Sequence, residues 1–243
     1  MNTRRKFLIQ GSMATAAVLA LKPFTSIASV TSPFTGLSGG NGQLVILHTA
    51  HPHSYNDNKM IRHIANIKKD NANAILLNAG YDTTQDETGQ LTYDVAAITG
   101  DYQIIRKGNI RTGVICVKPG DNDVIQKVNT LSAYLKKEKN CAIVVCISQL
   151  GYKNKNTADD ITLADRSTHL DIIIGGHAKN FQKNPVIALN SNKSEVIIHS
   201  ASGDPFACGF IQIDFDRQDQ KKHISFTVPS SKNITPGRAM PAA

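Results

Sequence analysis

The chain has 243 residues, a formal net charge of +8 and no tryptophan. That length suits one α/β domain with a full core. Four of the positive charges (Arg4, Arg5, Lys6, Lys22) fall in the first 28 residues, which hold no acid; the other 23 basic residues face 19 acids, a balance of +4 with no basic stripe or aromatic-interleaved patch, which argues against nucleic acid as a partner.

The N-terminus reads as a targeting segment. Thr3-Arg4-Arg5-Lys6-Phe7-Leu8 is a twin-arginine pattern, Met13–Leu21 is moderately apolar, and Ser26-Ile27-Ala28 offers a small-residue cleavage site. Residues 1–28 are therefore expected to be a twin-arginine signal peptide. The apolar run is too short for a permanent span, so no membrane anchor remains after cleavage and the expected destination is the periplasm. Residues 29–42 are rich in Ser, Gly and Pro and read as a linker.

The folded domain is expected over 43–228. Leu44–Leu47 reads as a buried strand ending at His48-Thr49. Lys59–Asp70 reads as a helix with Met60, Ile61, Ile64 and Ile67 on one face. Ala74–Leu77 is a second buried strand, Asp82–Gly89 a polar loop and Thr92–Ile98 a short helix. Tyr102–Ile105 and Gly113–Val117 form a strand pair around the turn at Lys107-Gly108-Asn109. Asp121 or Asp123 caps a helix to about Lys139, with Val124, Ile125, Val128, Leu131 and Leu135 inward.

Next come the apolar runs Ala142–Ile147 and Asp171–Ile174, separated by the loop 151–157 and a short helix over 158–166. Short β-branched runs alternating with helical segments mark βαβ units of a parallel sheet buried on both faces. Val186–Leu189 and Val196–His199 form a hairpin, and Phe210–Phe215 and Ile224–Val228 are later strands. Residues 229–243 read as a disordered tail. The four cysteines match no zinc-ribbon spacing, and Cys141 and Cys146, on one strand, stand about 16 Å apart, beyond bridging distance. All four read as buried, inert thiols.

In open α/β sheets ligands bind outside the carboxyl ends of the strands. Those ends carry His48-Thr49, Asn78-Ala79-Gly80, Ser148-Gln149 and Gly175-Gly176-His177, with His51 and His53 just beyond the first. Histidines converging with carboxylates at strand ends are a common way to build a metal site.

In sequence order, LVILHTAHPHS, AILLNAGYD, YDVAAITGDY, VVCISQLGY and DIIIGGHAKNF resemble the metallophosphatase (calcineurin-like phosphoesterase) domain of the 5′-nucleotidase family over residues 44–216. The family's signatures are roughly T-N-D-x-H-S, L-L-D-A-G-D, Y-D-A-x-x-x-G-N-H-E/D, L-S-H-L-G and I-I-G-G-H-x-H. The resemblance implies a four-layer αββα sandwich, two mixed β-sheets flanked by helices, with a di-metal site that hydrolyses phosphoesters.

The departures fall on the ligands. His51 stands at the first-motif Asp, Tyr81 at the bridging Asp, Gln149 at the His of S-H-L-G and Lys179 at the last His. His53 and His177 are retained, Asp101 replaces the Asn of G-N-H, and Tyr102 its His. One metal position would be lined by His51, His53, Tyr81 and Lys179, the other by Tyr81, Asp101, Gln149 and His177. Two divalent ions about 4 Å apart repel by on the order of 17 kcal/mol at an effective dielectric of 20. A bridging carboxylate offsets part of this, and a neutral phenol does not.

Three functional readings follow. The chain is an exported degenerate relative, a binding or accessory protein for a phosphorylated small molecule or nucleotide, with Lys179, Gln149 and Tyr81 facing the ligand. Alternatively it is an active phosphoester hydrolase with one divalent ion (Mn, Zn or Ca) on His51, His53, Asp101 and His177, with Asp82 swinging in. Or it is a subunit whose partner chain supplies a separate substrate-binding domain.

Overall fold

The structure, a computed structural model, describes residues 42–49, 58–80, 91–95, 101–154, 157–176, 184–200, 208–218 and 221–227. The expected signal peptide and tail lie outside these residues.

Two mixed sheets organise the chain. The smaller is built on β1 (Gln43–Thr49), which pairs in parallel with β2 (Ala74–Asn78). The helix α1 (Asn58–Asp70) lies between them in sequence, as a parallel pair requires of its crossover. Ile61, Ile64 and Ile67 are buried at helical spacing, and Lys68 and Lys69 in the last turn complement the negative end of the helix. The Asn71 amide donates to the Ile67 carbonyl at 2.8 Å and closes the helix.

The larger sheet begins with the hairpin β3 (Tyr102–Lys107) and β4 (Ile110–Val117). It continues through β5 (Ile143–Ser148), β6 (Ile172–Gly175), β7 (Val186–Leu189) and β8 (Glu195–Ser200), in the order β3-β4-β5-β6-β8-β7. β4, β5, β6 and β8 run parallel, and β3 and β7 close the edges antiparallel. The chain then returns to the first sheet through β9 (Gly209–Phe215) and β10 (Lys221–Thr227), giving the order β10-β9-β1-β2.

Two helices cover the outer face of the larger sheet. α2 (Val124–Lys137) starts at Asp123, whose carboxylate accepts from the Gln126 N–H at 3.2 Å. Of the two candidate caps Asp123 is the one used; Asp121 accepts instead from the Lys118 N–H. α3 (Asp160–Arg166) is capped in the same way by Asp159 on Thr162. Strand alternation then sorts the core. Ile143, Val145 and Ile147 of β5, with Ile172 and Ile174 of β6, face Leu44, Ile46, Ile75 and Leu77 of the smaller sheet. Val144, Cys146 and Ile173 face the other way, against Val128 and Leu135 of α2 and Leu163 of α3. The α/β sandwich of two mixed sheets with helices outside is the architecture the sequence implied.

One element differs. The helix expected over Thr92–Ile98 is not formed in its described part: Thr92 and Val95 lie in isolated bridges, Val95 in parallel with Leu77. Leu91, Tyr93 and Val95 are buried while Thr92 is exposed, a period of two. The outer edge of β2 offers unpaired backbone groups, and the Asn78 N–H donates to the Val95 carbonyl at 2.9 Å. Satisfying that edge outweighs a short segment's weak helical preference.

The cysteines are all free thiols. Cys141, Cys146 and Cys208 are buried as expected, and burial pushes each thiol up, Cys208 to about 12. Cys116 is half-buried, a correction to the expectation of four buried thiols.

Leu135 is fully buried between α2 and β4. Leu135→Ala is expected to cost about 2–5 kcal/mol. Urea unfolding should show this as a lower midpoint with an unchanged slope.

Candidate functional site

The carboxyl ends of five strands meet at one end of the molecule. β1 ends at Thr49 beside Asn78 of β2; β5 ends at Ser148 beside Gly175 of β6, which lies beside Ser200 of β8. Thr49, Asn78, Ser148 and Ser200 are all buried. Apolar runs that stop in polar residues therefore gather their polar ends in one place.

The two sheets touch there through backbone. Within the smaller sheet the Ala79 N–H donates to the Thr49 carbonyl, and within the larger the Gly176 N–H donates to the Ser148 carbonyl, both at 2.8 Å. A Cβ at Gly176 would stand 1.8 Å from the Ala79 carbonyl oxygen, so only glycine permits this approach.

A pair of buried histidines also bridges the sheets. His48 Nε2 of β1 lies 2.8 Å from His199 Nδ1 of β8, with the rings edge to face at 86°. His48 is seated over Gly209, its register partner in β9, where a Cβ would come within 1.9 Å of Nε2. Burial drives both imidazoles toward the neutral form. It holds His48 well below the ordinary value, helped by the neighbouring His199, and lowers His199 to about 4. The outer nitrogens, His48 Nδ1 and His199 Nε2, are buried and have no hydrogen-bond partner among the described residues.

The third feature is a buried carboxyl. The Ser148 hydroxyl makes a short hydrogen bond to Asp160 Oδ1, and the same hydroxyl oxygen accepts the Leu150 N–H at 3.2 Å. Burial raises the Asp160 carboxyl to about 7, against the Ser148 bond, which lowers it; nearby Asp159 raises it further.

Of the residues singled out from sequence, Gln149 and Asp101 are described, and both lie at this end. Gln149 follows β5, half-buried, with its N–H donating to the Val117 carbonyl at 2.9 Å. Asp101 is exposed just before β3, two strand positions from β5, and lines an open groove of about 350 Å³ with Asn122, Asp123, Gln126 and Lys127 beside α2. Tyr102 packs its ring on Tyr134 of α2 at 5.6 Å, on the helical side of the sheet. His51, His53, Tyr81, Asp82, His177 and Lys179 lie outside the described residues.

His48, His199, Ser148 and Asp160 were not named as site residues from sequence. His48 and Ser148 had a signal, each being a polar residue ending an apolar run. His199 and Asp160 had none that separates them from an ordinary strand residue and a helix-capping acid.

Among the described residues no three His, Cys, Asp or Glu side chains gather as a metal would need. The donor chemistry explains why: His48 and His199 each commit a nitrogen to the other, Asp160 is held by Ser148, Asp101 is a lone exposed carboxylate, and the other described strand-end residues are amides and hydroxyls. This donor set does not fit a pair of divalent cations, which calls for carboxylate charge between them.

No family model matches the chain, and no curated protein matches it. Solved structures do. The chain is similar to a 5′-nucleotidase precursor from Thermus thermophilus, with a TM-score of 0.61 at 16% identity over 77% of this chain and 54% of that one. It is similar to the NAD nucleotidase of Haemophilus influenzae, with a TM-score of 0.57 at 13% identity over 76% of this chain and 49% of that one. A hypothetical protein from Thermus thermophilus is matched over 99% of its length and 77% of this chain, at 10% identity and a TM-score of 0.51. At such identities the likeness establishes the fold: an α/β sandwich shared with the 5′-nucleotidases. The chain spans about half the length of the two nucleotidases it matches.

Well above pH 6.5 both histidines are neutral in the folded and unfolded chain alike. As pH falls from 6.5 toward 4 the unfolded chain gains protons that the folded chain refuses, so stability drops, by on the order of 3 kcal/mol from His199 alone. Denaturant titrations across that range should show the fall, and a His48→Gln/His199→Gln double variant should flatten it. Gly209→Ala should destabilise the protein at every pH by driving a methyl into the His48 ring.

Proposed function

We propose that this chain is an exported, degenerate relative of the 5′-nucleotidases. It binds a phosphorylated small molecule or nucleotide at the strand-end site and has lost the two-metal hydrolysis associated with that family. The observation that carries the reading is the charge state of the site's framework. The described residues at the strand ends are neutral imidazoles, amides and hydroxyls, and their buried carboxyl is Asp160, raised to about 7. With Tyr81 in place of the bridging carboxylate, the buried groups supply no fixed negative charge, and the exposed Asp101 lines a groove beside α2.

The donors that remain suit an anionic, hydroxylated ligand. Gln149 offers an amide at the end of β5, and Gly176 lets the end of β6 pack directly against the Ala79 carbonyl of the other sheet. Connectivity keeps His51 within two residues of Thr49 and His177 directly after Gly176. Lys179, two residues further on, brings an ammonium for a phosphate in place of a metal ligand.

Export to the periplasm by the twin-arginine route is part of the same proposal and is supported by the Thr3–Leu8 pattern. Among the described residues no helix is long and apolar enough to cross a membrane.

The test is turnover. The purified protein, incubated with manganese, zinc or calcium and with nucleotides and simple phosphodiesters, is expected to release no phosphate above background while binding nucleotide in calorimetry. Robust metal-dependent turnover that is lost in His53→Ala or His177→Ala would overturn the reading.

A further inference from the structure

The ends of β5, β6 and β8 close around one side chain. Asp160 begins α3, yet it points inward, about 1% exposed. One oxygen takes the short bond from Ser148 of β5. The other sits where a Cβ on Gly175 of β6 would come within 2.9 Å, and that same atom would meet the Ser200 side chain of β8 at 3.5 Å. Ser200 in turn donates to the Gly175 carbonyl at 2.8 Å. The turn leaving β5 is fastened to this cluster twice. The Leu150 N–H donates to Ser148 Oγ, and the Asp160 N–H donates to the Gly151 carbonyl at 3.0 Å.

Among the described residues one group favours ionisation, the Ser148 hydroxyl that donates to the carboxyl, while burial and the like charge of Asp159 oppose it. From β5 it faces Ser148, with Cys146 near enough to feel its charge; from β6 it faces Gly175, which carries nothing titratable; from β8 it faces Ser200. On its own helix the neighbour is Asp159, a like charge. Asp159 is itself satisfied as an anion by the Asn154 and Thr162 N–H groups, which hold it below the ordinary carboxylate range. Two adjacent aspartates are thus split by environment, one ionised as a helix cap and one favoured as the acid.

We propose that Asp160 is a positioning residue for the strand-end site: its proton keeps the ends of β5, β6 and β8 closed, and losing it loosens the turn at 149–151 that carries Gln149. Linkage gives the sign. A carboxyl raised in the folded state lends stability that is fully present below its unfolded value near 3.8 and is lost as pH rises through about 7. The window therefore runs opposite to that of the histidine pair, which loosens in acid. The effect belongs to the free protein and does not depend on which ligand the site takes.

The experiment follows the side-chain carboxyl carbon of Asp160 by NMR together with hydrogen exchange at the Leu150 amide, from pH 5 to 9, in the full chain. Val145, in the middle of β5, serves as the reference amide. The carboxyl is expected to titrate near neutrality, and Leu150 to lose about tenfold in protection relative to Val145 over the same interval. Asp160→Asn keeps the shape and removes the charge, so it should hold Leu150 protected at both ends of the range. A carboxyl titrating below pH 5, or an Asp160→Asn chain with the wild-type pH profile, would overturn the proposal. Should that variant fail to fold, the wild-type titration and exchange decide on their own, because both readouts must move together.

Discussion

The aliphatic seam between the two sheets is the constraint on which the rest depends. β5 and β6 are apolar on both faces because each residue meets either the smaller sheet or a helix. Burying both faces forces the polar ends of these strands out at a common edge, where backbone turns away from the sheet. The site is therefore a consequence of core packing: once the seam forms, Thr49, Asn78, Ser148, Gly175 and Ser200 arrive together.

What stands at that edge is unusual in its charge. Strand ends of this topology can gather carboxylates and histidines outward toward metal ions. Here the described histidines face each other across the seam, and the carboxyl is drawn under the strand ends by Ser148. Both arrangements use polar groups internally. They give the edge two opposed proton-linked restraints, a neutral imidazole pair that acid disturbs and a neutral carboxyl that base disturbs. Their pH dependences have opposite sign, the lowered His199 favouring the fold as pH rises and the raised Asp160 favouring it as pH falls.

The charge pattern elsewhere is structural. Asp171 accepts the Val144 N–H and pairs with Lys136 at 2.7 Å and Lys221 at 3.3 Å, joining β10 of one sheet to the start of the β5–β6 layer in the other. Asp94 does the same at the edge of β2, accepting the Leu76 N–H and pairing with Lys68 and Lys107. These partly exposed pairs contribute modestly to stability.

Much of the fold was legible in the chain. Runs such as AIVVCI and DIII, punctuated by Gly, Asn and Asp, carry their own strand assignment because a doubly buried strand needs an unbroken apolar run. Ile61, Ile64 and Ile67 do the same for α1 through helical spacing. The segment from Leu91 to Val95 was misread because its residues satisfy both periods, and the choice between them was made by the open edge of β2, which no local signal reports. The candidate site divides along the same line. Sequence by itself determined which residue types stand at the strand ends. Only tertiary structure decided that His48 meets His199 151 residues away and that Asp160, not Asp159, turns inward. The physical reason is that burial and hydrogen-bond partnership, which set the charge of these groups, belong to neighbours brought in by the sheets.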